Sequence, residues 1–208
     1  MEVKEAYDLW SNQYDSDENK TRDLEAISLR TVLKYLKVNS CLEIGCGTGK
    51  NTEWLSKISS EVLCVDLSEA MINKAKEKNQ SGNVNFKIAD VNQSWSFVEK
   101  PYDLIVFSLI LEHIENLEAV FRKASDALTK GGVIYVGELH PFKQYSGTKA
   151  RFSSNDKLNI ITCFNHHVSD FTGAAEKAGM SVIKFREFFD DNDRNSVPRI
   201  LTILFQKS

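Results

Sequence analysis

The stretch CLEIGCGTGK, residues 41–50, decides the fold of this 208-residue chain. A short apolar strand ends at Ile44, and an amphipathic helix begins a few residues later. Between them lie Gly45, Gly47 and Gly49. Glycine lets the backbone turn sharply and lets a ligand approach the main chain closely. Because the N–H groups at a helix start are unpaired, this turn favours an anionic group.

Outward from this turn, the chain alternates helical and strand-like patterns from residue 24 onward. Leu29, Val32 and Leu33 have the spacing of an amphipathic helix. Ser68 is predicted to cap the helix that runs through about Lys78. Gly131 is predicted to end the helix that starts near Leu117, and Ser169 to cap the last helix. The predicted strands are Cys41–Ile44, Glu61–Leu67, Val84–Ala89, Tyr102–Leu109, Val133–Gly137, Ser181–Phe188 and Ile200–Phe205.

These strands are apolar on nearly every residue, which indicates a parallel sheet covered by helices on both faces. The last two strands are joined only by residues 189–199, and a parallel crossover needs about a dozen residues and usually a helix. The sequence therefore predicts an α/β fold with a seven-stranded, mostly parallel sheet whose last strand is inserted antiparallel. We expect residues 1–208 to form one domain.

The composition excludes several classes of protein. The chain has 29 acidic and 26 basic residues, so it lacks the bulk positive charge of a nucleic-acid-binding domain. Its longest apolar runs, such as Leu104–Phe107, are far shorter than the about 20 residues of a membrane span. The first ten residues lack the apolar region of a signal peptide. Four cysteines occur without a CxxC pair. We expect a cytoplasmic monomer or homodimer that binds neither nucleic acid nor membrane.

Asp66 stands at the end of the second predicted strand, where a carboxylate can accept both hydroxyls of a ribose. Two nucleotide-type cofactors fit a glycine turn followed by such an acid. The dinucleotide fingerprint GxGxxG requires a small residue where this chain has Lys50. The spacing here is GxGxG instead.

That spacing resembles the class I S-adenosylmethionine-dependent methyltransferase family. Four further segments resemble motifs of the family in the same order: VDLSEAMINKA from Val65, KIADV from Lys87, YDLIVFSLILEHI from Tyr102 and LTKGGVIYVGE from Leu128. The resemblance implies a Rossmann-like methyltransferase fold. It also implies S-adenosyl-L-methionine as cofactor and S-adenosyl-L-homocysteine as product.

The resemblance also implies roles for individual residues. Asp66 would contact the ribose, Leu67 and Met71 would lie beside the adenine, and Asp90 would accept a hydrogen bond from the adenine amino group. Glu43, an acid in an apolar strand, would help to hold the methionine amino group. The implied cofactor-binding residues are Tyr14, Glu43, Gly45, Cys46, Gly47, Gly49, Asp66, Leu67, Met71, Asp90, Val91, Ser108, Leu109 and His113.

The N-terminal segment contains three aromatic residues, Tyr7, Trp10 and Tyr14. It looks like the aromatic cap that closes over the cofactor in small-molecule members of the family. The same residues are also consistent with a simple anchor that fixes a helix to the core.

Histidine is the best candidate for a general base near neutral pH. His113 and His140 each follow a predicted strand at its carboxyl end, where ligands of open α/β sheets bind. His113 also corresponds to a position that packs near the cofactor. The alternative for His140 is a loop histidine that is hydrogen-bonded to the backbone. A base is needed only if the methyl acceptor must lose a proton.

Residues 141–167 are too long for a tight loop and are predicted to form a substrate lid. Basic and aromatic residues in this segment, with Tyr145, Arg151 and His166 as candidate contacts, would receive an aromatic or anionic small molecule. The alternative is a solvated insertion anchored by its aromatic residues. The remaining regions are an N-terminal cofactor cap (1–22), a cofactor-binding core (23–140) and a C-terminal helix with a β-hairpin (168–208).

No metal site is predicted. The acidic runs that start at Asp15 and Asp191 lack the glycine and glutamate of a calcium loop. Cys163 and His166 lack a second pair of ligands at zinc spacing. The sequence therefore predicts methyl transfer from S-adenosylmethionine to an unidentified small molecule. The alternatives are a non-catalytic S-adenosylmethionine-binding partner subunit and an NAD(P)-dependent oxidoreductase.

Overall fold

A computed structural model describes residues 1–154 and 157–208 of the chain. Residues 155 and 156, inside the predicted lid, lie outside the described residues. The helices are α1 (Val3–Trp10), α2 (Lys20–Leu33), α3 (Thr52–Ile58), α4 (Glu69–Lys78), α5 (Leu117–Asp126), α6 (Pro141–Tyr145) and α7 (Val168–Lys177). The strands are β1 (Val38–Ile44), β2 (Ser59–Asp66), β3 (Val84–Ile88), β4 (Tyr102–Ser108), β5 (Leu128–Leu139), β6 (Arg151–Ser154), β7 (Lys157–Ile160), β8 (Met180–Phe188) and β9 (Ile200–Lys207).

Seven strands form one sheet in the order β3-β2-β1-β4-β5-β9-β8, while β6 and β7 form a separate antiparallel ribbon. Strands β1 to β5 pair in parallel. Strand β9 lies antiparallel between β5 and β8. The predicted mostly parallel sheet with an inserted antiparallel last strand is therefore confirmed.

The two faces of the sheet carry two hydrophobic clusters because successive residues of a strand point to opposite faces. Leu42 and Ile44 of β1 belong to the cluster that includes Phe121 of α5 and Phe171 of α7. Cys41 belongs to the opposite cluster, which includes residues of α2, α3 and α4. Helices thus cover both faces, as the apolar strands predict.

A third, smaller cluster joins α1 to the ribbon of β6 and β7. Ala6 and Trp10 pack with Phe152 and Ile161. The rings of Trp10 and Phe152 are stacked, with centroids 5.1 Å apart and planes 10° apart. Apolar packing of this kind holds the N-terminal cap and the predicted lid together as one layer over the sheet edge.

Two helix ends differ from the sequence prediction. Gly131, expected at the end of α5, lies within β5, because the helix already ends at Asp126. Its φ of +76° permits the irregular pairing between β4 and β5 at this point. Ser169, expected as the cap of α7, lies inside the helix. The cap is His167, whose N–H donates to Asp170 Oδ2 at 2.7 Å. Ser68 caps α4 as predicted, accepting from Met71 N–H at 3.1 Å.

All four cysteines are free thiols, and Cys41, Cys46 and Cys64 are buried. Among the described helices, none combines the length and the apolar character needed to cross a bilayer.

The glycine turn gives a stability test. Gly49 has a φ of +78°, and a Cβ there would lie 2.4 Å from Asn79 Nδ2. This amide is buried and donates to the carbonyls of Gly49 and Ala75, so it cannot easily move away. Gly49→Ala is expected to lower the free energy of unfolding by about 1–3 kcal/mol, measured by urea denaturation.

The matched control is Gly173→Ala in α7, where no atom lies within 4 Å of an added Cβ. Because glycine weakens a helix interior, this variant should gain roughly 0.5–1 kcal/mol. Equal stability of the two variants would contradict the structure of the turn.

Candidate functional site

The carboxyl ends of β1, β2 and β4 meet at one edge of the sheet. The chain continues from β1 to β2 on one side, and β4 lies on the other side of β1. This reversal of strand order is the place where open α/β sheets bind ligands. The glycine turn after β1 lies at this position.

The turn is shaped by three left-handed glycines, Gly45, Gly47 and Gly49, with φ of +71°, +54° and +78°. The N–H groups of Gly45 and Cys46 both donate to Val65 O, which fixes the turn against β2. A Cβ on Gly45 would lie 2.5 Å from Ile110 Cδ1, whereas nothing lies within 4 Å of a Cβ on Gly47. Open space therefore borders the turn at Gly47.

Asp66 is the residue that connects the turn to β2. Its Oδ2 accepts from the N–H of Gly47 at 2.8 Å, and its Oδ1 accepts from the N–H of Ser68 at 2.9 Å. Burial raises the pKa of the Asp66 carboxyl, and these backbone donors oppose the rise. Each carboxylate oxygen keeps a further lone pair for a ligand.

A cavity of about 760 Å³ opens at this edge, and we call it the main cavity. Its residues come from α1, the glycine turn, and the segments that follow β2, β3 and β4. It is lined by Val3, Lys4, Tyr7, Tyr14, Gly45, Gly47, Asp66, Leu67, Ser68, Ala89, Asp90, Val91, Asn92, Ser108, Leu109, Ile110, His113 and Ile114.

Ten of the residues that the family resemblance implies for the cofactor therefore line one cavity. These are Tyr14, Gly45, Gly47, Asp66, Leu67, Asp90, Val91, Ser108, Leu109 and His113. Asp90 also accepts from the N–H of Asn92 at 2.8 Å, which shapes the turn after β3.

Helix α1 closes one side of the main cavity. The hydroxyl of Tyr7 lies 2.9 Å from His113 Nε2. Asp8 accepts from the hydroxyl of Ser68 at 2.6 Å, which fixes α1 to the start of α4. Behind the cavity, Trp10 is buried and donates to Asp17 Oδ2 at 2.8 Å. Tyr7 and Tyr14 face the cavity, whereas Trp10 anchors the helix.

His113 lies in a one-turn 3-10 helix after β4 and has a defined tautomer. Its Nδ1 lies 2.8 Å from Thr162 O, which can only accept, so Nδ1 carries the proton. Its Nε2 is then an acceptor for the hydroxyl of Tyr7. His113, Glu112 and Cys163 together bring three possible metal-ligand atoms within 4.8 Å of one another. A metal would have to displace one of the two hydrogen bonds of the His113 ring.

A second cavity, of about 930 Å³, adjoins the main cavity, and the two share Tyr7, Tyr14 and Leu109. We call it the basic cleft, because its walls include several cationic side chains. Leu109 has a φ of +54°, in the left-handed region that non-glycine residues rarely adopt. Such backbone strain is typical of functional sites. The cationic residues of the cleft are Lys20, Arg22, Lys149, Arg151 and Arg199.

Four predicted cofactor contacts do not line the main cavity. Glu43 is buried beneath the glycine turn and accepts from the Thr52 hydroxyl at 2.5 Å and from the Cys64 thiol at 3.4 Å. These partners, rather than a ligand amino group, satisfy its carboxyl in this structure. Cys46 and Met71 are buried in the core, and Gly49 packs on Asn79 and Ala75.

His140 lies in neither cavity. It is buried, its Nδ1 accepts from the N–H of Phe142 at 3.2 Å, and its Nε2 lies 3.1 Å from Glu187 Oε1. With both ring nitrogens engaged, the structure favours the alternative of a hydrogen-bonded loop histidine. Its catalytic role stays a prediction without support from the geometry.

Of the predicted lid contacts, Arg151 lines the basic cleft, while Tyr145 and His166 do not. Tyr145 is exposed, and its hydroxyl lies 2.7 Å from His167 Nδ1. His166 is buried, and its Nε2 lies 2.8 Å from Ile114 O, so it is engaged with the backbone rather than with the cleft.

Two buried acids that support the site were missed by the sequence analysis. Glu138 Oε1 accepts from the N–H groups of Ile110 and Leu111 at 2.9 and 2.7 Å, which holds the loop that carries His113. Glu25 accepts from Asn51 Nδ2 and from the hydroxyl of Tyr135. Glu138 could have been noticed in the sequence, because it lies within the apolar strand that ends at Leu139 and a buried acid is costly unless it is paired.

Comparison with known proteins identifies the core of the chain. Residues 42–136 match the family model described as a methyltransferase domain. A malonyl-[acyl-carrier protein] O-methyltransferase from Bacillus cereus is 35% identical over 115 residues, covering 52% of this chain and 42% of that protein. A ubiquinone biosynthesis O-methyltransferase from Coxiella burnetii is 26% identical over 157 residues, covering 71% of this chain and 66% of that protein. The family resemblance is confirmed for this domain.

The chain spans about half the length of the first curated relatives that it matches. Solved structures agree over nearly the whole chain. The DhpI–SAH complex has a TM-score of 0.76 at 21% identity, covering 97% of this chain and 93% of that one. N-methyltransferase NodS from Bradyrhizobium japonicum WM9, in complex with S-adenosyl-L-homocysteine, has a TM-score of 0.71 at 16% identity, covering 97% and 98%. These similarities confirm the predicted Rossmann-like methyltransferase fold.

The burial of Glu43 gives a prediction of pH dependence. Burial raises the pKa of this carboxyl from 4.5 to about 7, although hydrogen bonds from Thr52 and Cys64 oppose the rise. Between these pH values the folded state keeps a proton that the unfolded state releases, so stability falls as pH rises. Glu43→Gln is neutral throughout and should remove a fall of up to about 3 kcal/mol between pH 5 and 8.

Urea denaturation at a series of pH values measures this difference. Glu77→Gln, on the exposed surface of α4, is the control and should leave the pH dependence of the parent protein unchanged. Parallel pH curves for the parent and Glu43→Gln would show that the Glu43 carboxyl is already ionised in the folded state.

Proposed function

We propose that this chain, which carries a methyltransferase domain over residues 42–136, transfers the methyl group of S-adenosylmethionine to a small molecule. The observation that supports this most directly is the main cavity, where the glycine turn and the Asp66 carboxylate meet at the switch point of the sheet. Its lining combines apolar side chains with a few polar groups, as small-molecule sites commonly do.

The residues of the main cavity fit an adenosyl group. Gly47 leaves open space beside the turn, so a ligand can approach the backbone. Asp66 keeps lone pairs that can accept the two ribose hydroxyls. Leu67, Val91 and Ile110 supply apolar surface suited to a flat aromatic base. When bound, S-adenosylmethionine would supply a methyl group activated by the positive charge of its sulfonium.

The sequence-implied contacts of Asp66 and Asp90 with the cofactor are part of this proposal. So is the division into a cofactor cap (1–22), a core (23–140), a lid (141–167) and a C-terminal hairpin region (168–208). The cap is supported by Tyr7 and Tyr14, which line the main cavity, and by the contact of Asp8 with Ser68. Lys50, at the position where the dinucleotide fingerprint requires a small residue, disfavours the dinucleotide-binding alternative.

The arrangement of Tyr7 and His113 can accept a proton from the methyl acceptor. His113 Nε2 is an acceptor because Nδ1 donates to Thr162 O, and the Tyr7 hydroxyl donates to it. A hydroxyl or amine beside Tyr7 would give its proton to the Tyr7 oxygen while Tyr7 passes its own proton to His113. Burial raises the pKa of Tyr7 well above its usual value, which opposes a free tyrosinate and favours a coupled transfer.

The relatives named above support a small-molecule acceptor, since they are described as O-methyltransferases of malonyl-[acyl-carrier protein] and of ubiquinone biosynthesis. The acceptor of this chain would enter through the basic cleft, which shares Tyr7, Tyr14 and Leu109 with the main cavity. The cytoplasmic location and the monomeric or homodimeric state stay predictions from the sequence.

Binding of S-adenosylhomocysteine tests this function. Titration calorimetry should detect binding to the parent chain, and Asp66→Ala should weaken it roughly 10- to 100-fold, as expected for loss of a hydrogen bond to a charged group. Asp126→Ala, an exposed acid at the end of α5, is the control and should bind like the parent.

Because Asp66 also holds the N–H groups of Gly47 and Ser68, the melting curve of Asp66→Ala must first show a folded protein. Failure of the parent chain to bind S-adenosylhomocysteine at millimolar concentration would refute the proposal.

A further inference from the structure

The basic cleft adjoins the main cavity at Tyr7 and Leu109 and is built from distant parts of the chain. Lys20 and Arg22 come from the start of α2, Lys149 and Arg151 from the start of the ribbon, and Arg199 from the residue before β9. Nothing in the proposed cofactor site uses these side chains. Their convergence on one cavity requires a separate explanation.

One of these cations is already neutralised. Arg199 donates to both carboxylate oxygens of Asp190, at 2.5 and 2.7 Å. Lys143 and Lys20 also help to lower the pKa of that carboxyl, after the larger effect of Arg199. Arg199 therefore forms an ion pair with Asp190 rather than a free positive surface.

Arg22 is different, because it is buried with only neutral direct partners. Arg22 is only 8% exposed to solvent. Its guanidinium donates to Tyr14 O and, at 2.6 Å, to Asp17 O, and it lies 4.2 Å from the Tyr14 ring centroid. The nearby Asp15 is already engaged by Lys78 and by the Thr48 hydroxyl. Arg22 nevertheless helps to lower the pKa of the Asp15 carboxyl, after the larger effects of Lys78 and Thr48 and against the effect of burial, so its positive charge is partly balanced by that acid.

Lys149 and Arg151 are exposed, and neither forms an ion pair with any residue that the structure describes. The acids that line the cleft are Glu18 and Glu112. Glu112 is buried, and burial raises the pKa of its carboxyl, which favours the uncharged form. The lining of the cleft thus has five cations and two acids, and of these cations only Arg199 forms an ion pair with a described residue, so the cleft has a positive potential.

The same cleft offers apolar and aromatic surface. Its lining includes the aromatic residues Tyr7, Trp10 and Tyr14 and the apolar residues Leu109 and Leu139. A small inorganic ion would leave this apolar surface uncovered, whereas an organic molecule with one anionic group would contact both the cationic and the apolar parts of the cleft. An arginine guanidinium binds carboxylate and phosphate oxygens through paired N–H donors, which adds geometric specificity to the charge.

We propose that the basic cleft binds the methyl acceptor as a small organic anion, whose carboxylate or phosphate group is held by Arg151 and Lys149. This inference rests on the proposed function and adds the chemical class of its substrate. The accepting atom then lies at the aromatic end of the cleft, next to Tyr7 and Leu109, which also line the main cavity.

The test uses two matched pairs of probes on the chain saturated with S-adenosylhomocysteine. Benzoate is compared with benzamide, and phenyl phosphate with phenol, by calorimetric titration. Each anion is expected to bind at least about tenfold more tightly than its neutral partner. Tighter binding of phenyl phosphate than of benzoate indicates a phosphate-bearing acceptor, and the reverse order indicates a carboxylate.

The variants are Arg151→Ala and Lys149→Ala, both at exposed positions that should leave folding intact. Each should weaken the anions about tenfold, leave the neutral probes unchanged, and keep the parent affinity for S-adenosylhomocysteine. Arg122→Ala, an exposed arginine of α5 outside both cavities, is the matched control and should behave like the parent.

Two failures are distinguishable. If the parent binds S-adenosylhomocysteine but binds no anion more tightly than its neutral partner, the inference is overturned and the proposed function stands. The same conclusion follows if Arg151→Ala and Lys149→Ala leave anion binding unchanged. If S-adenosylhomocysteine itself fails to bind, the proposed function fails and the inference fails with it.

Discussion

The hydrogen bond between the Gly47 N–H and the Asp66 carboxylate is the contact on which the site depends. At 2.8 Å it joins the turn after β1, which lies at the switch point of the sheet, to the end of the neighbouring strand β2. It holds a partly desolvated carboxylate beside an exposed backbone turn that no side chain fills. The main cavity exists because these two segments are held at a fixed separation.

The fold was predictable where local pattern decides structure. Apolar strands, helix spacing and the glycine turn are properties of short segments, and the short connection before β9 was enough to predict its antiparallel direction. The packing of Trp10 on Phe152 was not predictable, because it joins residues that are far apart in sequence. The early end of α5 was missed because Gly131 serves a strand irregularity, which has the same local signal as a helix terminus.

Part of the site was also predictable, because it is formed by short motif segments whose pattern can be recognised in the sequence. Residues within the motif segments, such as Asp66 and Asp90, line the main cavity because the strand ends place them there. Glu43 was correctly recognised as an acid that needs a partner, but its partners are Thr52 and Cys64, which only the folded chain brings beside it. The tautomer of His113 depends on Thr162, and the basic cleft depends on five separate segments. Neither could be read from one stretch of sequence.

The central claim, that the glycine turn and Asp66 form the adenosyl site, is tested most directly by NMR of the chain labelled with ¹⁵N-glycine. The sequence has 10 glycines, so the spectrum is simple. Addition of S-adenosylhomocysteine should shift the amide resonances of Gly45 and Gly47. Gly131, Gly147 and Gly179, which also have positive φ but lie outside the main cavity, should remain in place. Unchanged Gly45 and Gly47 resonances at saturating ligand would contradict the account.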